Sequence, residues 1–243
     1  SGTGSAGMEA ALVNLLERGD RILVCVNGVF GERMCDIAGR CGAELKRVDA
    51  PWGTPIDPEA VRQALADFPA KLVAVVHAET STGVLQPLEE LAKISREKDA
   101  LFLVDAVTSL AGAPLEIDAW GIDVCYSGTQ KCLSCPPGLA PITFGPRAME
   151  VLEKRKTKVP SWYLDMTMIL KYWGPDRMYH HTAPISMTYA LREALRLVLE
   201  EGLERRWERH QAVHRVLVGG LEKAGLKMLV AAPYRAPMIN TVV

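Results

Sequence analysis

The fold is decided by residues 5–26, SAGMEAALVNLLERGDRILVCV. The spacing of the first apolar residues, Met8, Leu12 and Leu15, predicts a helix, and Gly19 marks its end. In RILVCV, at 21–26, the apolar residues are consecutive, which is typical of a parallel strand buried on both faces. The segment therefore predicts a helix that is followed directly by an interior strand of a covered sheet.

The same alternation of helix and strand continues along the chain. Three further apolar runs have the character of buried strands: KLVAVVH at 71–77, ALFLVD at 100–105 and DVCYS at 123–127. Helical spacing lies between the first two, and Asp57 before Pro58 is typical of a capped helix start. Together these elements predict an α/β fold, a three-layer sandwich with a mostly parallel sheet.

The second half of the chain is organised differently. Helical patterns at 146–155 and 184–224 flank an aromatic, polar stretch without regular periodicity, SWYLDMTMILKYWGPDRMYHHTAP, which is more typical of a functional loop or an interface than of core. Residues 225–243 predict two strands. We expect a large domain over 1–224 that ends in long helices, and over 225–243 the start of a smaller C-terminal α+β domain. The chain has the character of an excerpt from a longer protein.

The composition excludes several classes of partner. With 49% hydrophobic and 23% charged residues and a net charge of -1, the 243 residues suffice for a sizeable core and provide no concentrated basic field. We therefore expect neither nucleic acid nor a membrane as partner. The six cysteines lie mostly in apolar segments, as reduced thiols of an intracellular protein do.

No metal site is predicted. Cys132 and Cys135 form a CxxC, but no second pair stands at a zinc-ribbon spacing. His210 and His214 lie four residues apart on a charged helix without the intervening glutamate of a metalloprotease motif.

Small and polar residues directly follow the predicted strands, where open parallel sheets bind their ligands. Asp105 closes LFLVD, and a carboxylate at the end of a buried strand needs a cation or hydrogen-bond donors to stay charged. Lys131 follows YSGTQ, just beyond the next predicted strand. The two side chains form either a simple ion pair or two contacts to one cofactor, with Lys131 as an imine to an aldehyde and Asp105 on a protonated ring nitrogen.

The glycines of residues 2–7, GTGSAG, leave a similar choice. They match the GxGxxG of dinucleotide-binding proteins, but the next strand ends in Asn27 and Gly28, where that motif needs an acidic residue for the ribose. A helix N-terminus with small residues and free N–H groups suits a single phosphate monoester. The sequence favours the phosphate monoester over NAD.

Several segments resemble the class V, fold type I family of pyridoxal 5'-phosphate (PLP) aminotransferases, in the family's order and over nearly the whole chain: SGTGSAGMEAALVNLLERGD, HAETSTGVLQPL, LVDAVTSL, YSGTQKCLSCPPG and RMYHHTAP. The similarity points to the alanine-glyoxylate and serine-glyoxylate aminotransferases. It implies the PLP-transferase fold for the large domain, PLP as cofactor, and transamination between alanine or serine and glyoxylate or pyruvate. The alternatives are another class V enzyme (a phosphoserine or aminoethylphosphonate aminotransferase, a desulfurase or a lyase) and an NAD-binding oxidoreductase.

The resemblance also implies roles for individual residues. Lys131 would form the imine and move the proton at the substrate Cα, and Asp105 would hold the proton of the pyridine nitrogen. The other implied cofactor contacts are with the phosphate (Thr3, Gly4, Ser5 and Gln130), with the ring hydroxyl (Thr80) and with the two faces of the ring (Phe30 and Val107). Phe30 stands where family members often carry Trp, and a plain core aromatic is the alternative for it. Ser5 stands where the animal alanine-glyoxylate enzymes have His.

The resemblance further implies a homodimer. Tyr179 and Thr182 of MYHHT match family residues that reach the phosphate of the neighbouring subunit, with local packing as the alternative. The family's arginine for the substrate carboxylate is expected beyond MINTVV, and Arg235 does not match its motif.

Overall fold

The computed structural model describes residues 1–243. Its strands are β1 (Arg21–Val26), β2 (Glu44–Asp49), β3 (Leu72–Val76), β4 (Ala78–Glu79), β5 (Val84–Leu85), β6 (Leu101–Asp105), β7 (Val124–Tyr126) and β8 (Ile142–Phe144). Its helices are α1 (Gly4–Leu15), α2 (Val29–Arg40), α3 (Pro58–Asp67), α4 (Glu89–Glu97), α5 (Pro146–Glu153), α6 (Met166–Trp173), α7 (Ile185–Glu201) and α8 (Leu203–Lys223).

A six-stranded sheet with the strand order β2-β1-β3-β6-β7-β8 lies at the centre. The neighbours from β2 to β7 are parallel, and β8 is antiparallel to β7. This arrangement confirms the predicted α/β fold with a mostly parallel sheet. The chain leaves β1 for β2 on one side and later returns for β3 on the other, so a crevice for ligands opens at the carboxyl ends of these strands.

The continuous apolar runs are explained by burial on both faces of the sheet. Along β1, Leu23 and Cys25 pack into the core under α3 and α4, whereas Ile22, Val24 and Val26 pack into the core under α1 and α2. Each such side chain contributes about 1.5–3 kcal/mol on burial. A strand with two covered faces has no place for the polar alternation of a half-exposed strand.

The ends of the helices follow from local chemistry. Asp57 caps α3 as predicted, because its carboxylate accepts a hydrogen bond from the backbone N–H of Glu59 at 3.0 Å. The predicted helical segment 184–224 is two helices, α7 and α8. Gly202 separates them with a φ of 82°, a left-handed conformation that glycine adopts without steric cost. None of the helices combines the length and the hydrophobicity needed to cross a bilayer.

The aromatic stretch of residues 161–184 is more regular than its sequence suggested. It contains the eight-residue helix α6, whose first turn is capped by the Asp165 carboxylate through the backbone N–H of Thr167. The expectation of a loop is wrong at the residues of α6, because a capping residue specified a helix where the apolar periodicity did not. The alternative expectation, an interface, stays a prediction.

The two strands expected in residues 225–243 are wrong as well. Only isolated bridges form, between Met228 and Val242 and between Arg235 and Val84 of β5. Pro233 and Pro237 have no N–H to donate to a strand ladder, which accounts for the interruption. The division into domains at 224 and 225 stays a prediction.

Candidate functional site

A cavity of about 220 Å³ opens at the carboxyl edge of the sheet. Its lining comes from α1, α2 and the residues that end or follow β6 and β7: Thr3, Gly4, Ser5, Met8, Phe30, Arg33, Asp105, Val107, Gln130 and Lys131. Most of the predicted site residues are thus brought together from distant parts of the chain. Thr80, Tyr179 and Thr182 do not line this cavity.

A larger cavity of about 380 Å³ lies between α1 and α6. Its lining is mostly apolar, with Leu164, Ile169 and Trp173 among its side chains, and it contains His181 but neither a carboxylate nor a lysine. The smaller cavity brings together the carboxyl group of Asp105, the amine of Lys131 and the start of α1. We therefore place the candidate site at the smaller cavity.

Asp105 is buried at the inner wall of the site, with 2% of its surface exposed. Its Oδ1 accepts a hydrogen bond from the backbone N–H of Val107 at 2.8 Å, and its Oδ2 accepts one from the hydroxyl of Tyr126 at 2.8 Å. Burial raises the pKa of Asp105 to about 6, and the two hydrogen bonds act in the opposite direction. The site therefore contains a carboxyl group that titrates close to neutral pH.

Tyr126 is a site residue that the sequence analysis missed. It lies opposite Asp105 in the parallel register of β6 and β7 and is fully buried. Burial raises the pKa of Tyr126 well above its ordinary value, so the hydroxyl stays protonated and donates a hydrogen bond to the carboxylate. The sequence carries no local signal for this contact, because only the pairing of two strands brings the residues together.

Lys131 lies half-buried in the turn after β7 and reaches the same cavity as Asp105. The two side chains form no salt bridge within 4.0 Å. The simple ion pair considered from the sequence is therefore wrong. Both groups face one space and remain available to a bound molecule.

The N-terminus of α1 forms one end of the cavity. The backbone N–H groups of Gly4 and Ser5 donate to no acceptor in the protein, Thr3 makes no side-chain capping bond, and the first turn has no acidic residue. Such an end attracts anions because its N–H groups and the helix dipole point toward them. A Cβ on Gly4 would lie 2.7 Å from Cγ2 of Val107, so glycine is required for this close approach.

Phe30 and Val107 are half-buried walls of the cavity. Both also pack against the core under α1 and α2, so Phe30 is at once a core aromatic and a site residue. The guanidinium carbon of Arg33 lies 4.9 Å from the centre of the Phe30 ring. Arg33 was not singled out from the sequence, where a charged residue on a helix has the pattern of an ordinary solvated face.

Thr80 lies beside the cavity and not in its lining. Its Oγ1 is 2.7 Å from Oγ1 of Thr108, a residue that the sequence analysis did not single out. The predicted contact of Thr80 with a ring hydroxyl stays a prediction.

Tyr179 and Thr182 lie on the surface, and their hydroxyl groups are 3.3 Å apart. Tyr179 is 76% exposed, and its ring meets that of Tyr172 edge-on, with the centroids 6.2 Å apart. Neither residue reaches the cavity of its own chain. Their predicted reach into a neighbouring subunit stays a prediction.

The family model described as aminotransferase class-V matches residues 1–243. The chain belongs to the class-V aminotransferases. It is 42% identical over 247 residues to the alanine--glyoxylate aminotransferase of Oryctolagus cuniculus, covering 100% of this chain and 63% of that protein. It is 39% identical over 259 residues to the (S)-ureidoglycine--glyoxylate transaminase of Bacillus subtilis (strain 168), covering 99% of this chain and 62% of that protein.

A solved aminotransferase structure agrees with this family assignment. The alanine--glyoxylate aminotransferase from Nostoc sp. superposes with a TM-score of 0.98 at 51% identity, over 100% of this chain and 64% of that chain. This agreement confirms the PLP-transferase fold expected for the large domain. The chain spans a little under two thirds of the length of these relatives.

The segment after β3 fixes the start of α2 through contacts that the sequence did not predict. Glu79 is fully buried; its Oε1 accepts hydrogen bonds from the N–H and the hydroxyl of Ser81, and its Oε2 accepts one from the N–H of Phe30 at 3.2 Å. The hydroxyl of Ser81 accepts a bond from the N–H of Val29. A Cβ on Gly28 would lie 2.3 Å from Cγ of Glu79, so the glycine after β1 leaves room for this cap.

His77 is a second buried polar group near the site. Its Nδ1 is 2.9 Å from Oγ of Ser109, and its ring meets that of Trp120 edge-on. Burial lowers the pKa of His77 to about 4, which keeps the imidazole neutral. A neutral imidazole bound to a hydroxyl positions the loops after β3 and β6 without adding charge to the cavity.

The cysteines and histidines noted in the sequence lie outside this chemistry. All six cysteines are free, and burial raises the pKa of the Cys132 and Cys135 thiols, which disfavours the reactive thiolate. His210 bonds to the carbonyl of Arg206, and no group of three or more potential metal ligands forms in the chain. The intracellular location stays a prediction.

Proposed function

We propose that this chain is the cofactor-binding part of a PLP-dependent aminotransferase that moves an amino group between alanine or serine and glyoxylate or pyruvate. The observation that carries the proposal is the arrangement of Lys131 and Asp105, which face one cavity without pairing, beside the free N–H groups of α1. If Lys131 and the buried Asp105 served only to stabilise the fold, we would expect the two side chains to form a salt bridge with each other.

The cavity suits PLP group by group. The free N–H groups of Gly4 and Ser5 and the adjacent hydroxyl of Thr3 suit a phosphate monoester. The half-buried amine of Lys131 suits the aldehyde, and the buried carboxyl of Asp105 suits the ring nitrogen. When bound, PLP supplies an electron sink that stabilises negative charge at the substrate Cα.

Each residue then has a defined task. Lys131 would hold the cofactor through Nζ, and the same amine would move the proton at the substrate Cα. Asp105 holds the proton at the ring nitrogen, and the Val107 N–H and Tyr126 hydroxyl orient its carboxylate. Gln130 adds a contact to the phosphate, Thr80 one to the ring hydroxyl, and Phe30 and Val107 enclose the ring.

The relatives support a glyoxylate-type acceptor more strongly than a particular donor. An alanine--glyoxylate aminotransferase and an (S)-ureidoglycine--glyoxylate transaminase share glyoxylate in their names and differ in the amino compound. The arginine for the substrate carboxylate is not assigned to Arg235, which pairs with Glu222 at 3.2 Å and donates to the carbonyl of Val230 at 2.8 Å. The other class V reactions, and NAD chemistry above all, have less support.

A homodimer with shared sites completes the proposal. Tyr179 and Thr182 are exposed and lie away from the cavity of their own chain, as residues that serve a neighbouring site would. The exposed aromatic side chains Trp162, Tyr163 and Trp173 lie close to them in sequence and give that surface the apolar character of an interface.

Lysine replacement tests the cofactor assignment. Purified protein incubated with PLP and dialysed should retain a visible absorption band of the cofactor–lysine imine, and Lys131→Ala should lose it. Lys154→Ala replaces an exposed lysine that follows α5 and pairs with Glu150; it is the matched control and should keep the band. A Lys131→Ala protein that still holds the band after dialysis would rule out the proposal.

Substrate spectra test the reaction. In the full-length protein, alanine or serine should convert the imine band to that of the pyridoxamine form in stopped flow, and glyoxylate or pyruvate should restore it. No response to either amino acid would remove the glyoxylate-type assignment and leave the other class V reactions. Retention of NAD in place of PLP would favour the oxidoreductase.

A further inference from the structure

Arg33 lies at the anion-binding end of the cavity. It follows Phe30 by one turn of α2, and its guanidinium group stacks over the Phe30 ring at 4.9 Å. Its Nη1 donates a hydrogen bond to Oγ of Ser5 at 3.0 Å. The charged group is thereby held next to Ser5, whose backbone N–H is free.

The charge of Arg33 has no partner in the protein. No carboxylate lies within 4.0 Å of its guanidinium group, whereas Arg40 on the same helix pairs with Asp36 at 3.0 Å. The positive field of Arg33 reaches Asp105, whose pKa it lowers by a smaller amount than burial raises it. An unpaired, positioned guanidinium beside free helix N–H groups is an arrangement that favours an anion.

We propose that Arg33 is a further phosphate-binding residue of this site, acting on the phosphate monoester of the cofactor together with Thr3, Gly4 and Ser5. This inference rests on the proposed function. By donating to the lone pair of Ser5 Oγ, Arg33 leaves the hydroxyl proton of Ser5 free for a phosphate oxygen. Arg33 also adds a full positive charge where the helix end supplies only a partial one.

A comparison of PLP with pyridoxal separates this role from packing against Phe30, because pyridoxal has the same ring and aldehyde and no phosphate. Arg33→Met, which keeps an apolar stem over Phe30 and removes the charge, should weaken PLP binding about 10- to 100-fold and leave pyridoxal binding unchanged. Dissociation constants are measured by equilibrium dialysis. Arg40→Met, on the same helix and outside this cavity, is the matched control and should change neither constant.

The outcomes are distinguishable. Equal weakening for PLP and pyridoxal would assign Arg33 to ring packing and overturn the inference, as would unchanged binding of both. Arg33→Lys guards against misfolding, since it keeps the charge and loses the planar fork; it should weaken PLP binding less than Arg33→Met does. If the wild-type protein binds PLP and Arg33→Met binds it equally well, the inference alone is overturned. A wild-type protein that does not bind PLP would overturn the proposed function and the inference with it.

Discussion

The hydroxyl of Tyr126 lies 2.8 Å from Oδ2 of Asp105, and the two residues face each other across β7 and β6. The carboxyl group that would hold the ring nitrogen is thus oriented from within the sheet. One donor is a side chain of the neighbouring strand, and the other is the backbone N–H of Val107. A sheet is a rigid support, so the orientation of the carboxylate is fixed before any ligand arrives.

Replacing Tyr126 by Phe should raise the pKa of Asp105 above about 6. The hydrogen bond favours the charged carboxylate, and a bond to a charged group of about 1.5–3 kcal/mol corresponds to about one to two pKa units. The titration of the Asp105 carboxyl carbon by NMR in the cofactor-free chain measures this shift. Tyr234→Phe, remote from the site, is the control; identical midpoints in the two variants would contradict the positioning role of Tyr126.

Replacing Asp105 by Asn should stabilise the cofactor-free chain at neutral and higher pH. The pKa of Asp105 is about 6 in the folded state, against its ordinary value of 3.8. The stabilising contribution of the carboxyl group is therefore complete below 3.8 and is lost as the pH rises through about 6. Two pKa units correspond to about 3 kcal/mol. Urea unfolding on both sides of this window measures the difference, and exposed Asp67→Asn is the control.

The wild-type curve alone does not test this prediction, because His77 acts in the opposite direction. Its pKa is about 4 in the folded state, against an ordinary value of 6.5. The stabilising contribution of the imidazole is therefore present above 6.5 and is lost as the pH falls toward 4. The difference between wild type and Asp105→Asn isolates the carboxyl. A difference that does not change with pH would mean that Asp105 is not destabilised by burial.

Replacing Gly4 by Ala should destabilise the chain by about 1–3 kcal/mol, the usual cost of overpacking. The added Cβ would lie 2.7 Å from Cγ2 of Val107. Val107→Ala removes that contact, so the penalty of Gly4→Ala should shrink in the Val107→Ala background, as a double-mutant cycle in urea reveals. Gly39→Ala, where a Cβ meets nothing within 4 Å, is the control; purely additive penalties would contradict the close approach.

Mixing two variants that are each impaired in cofactor binding, Tyr179→Ala and Lys131→Ala, tests the shared sites of the proposed dimer. Tyr179→Ala should weaken cofactor binding, and Lys131→Ala should abolish the imine band. In a mixed dimer one site would carry both changes and the other neither, so co-refolding the two variants should restore part of the band. A band that stays at the level of the separate variants would place Tyr179 in the site of its own chain or outside any site.

The sequence by itself determined the sheet and several points of the site. The consecutive apolar residues of RILVCV specified a strand with two covered faces, and they are the residues of β1. Asp105 and Lys131 were singled out because polar and small residues directly after strands meet at one edge of a parallel sheet. The glycines at the start of α1 were singled out because small residues at a helix N-terminus suit a phosphate. Such features depend only on neighbouring residues in the sequence, so they can be predicted without the tertiary structure.

The tertiary structure alone decided the contacts that tune the site. Tyr126, Glu79 and Arg33 act through partners in other elements, and nothing in their own neighbourhoods distinguishes them from a strand aromatic, a loop acid and a surface cation. The break between α7 and α8 likewise depends on the positive φ of Gly202. In residues 225–243, Pro233 and Pro237 prevent the strands that the apolar pattern predicted. Sequence patterns fix which face of an element is buried, whereas the register between elements fixes which side chains then touch.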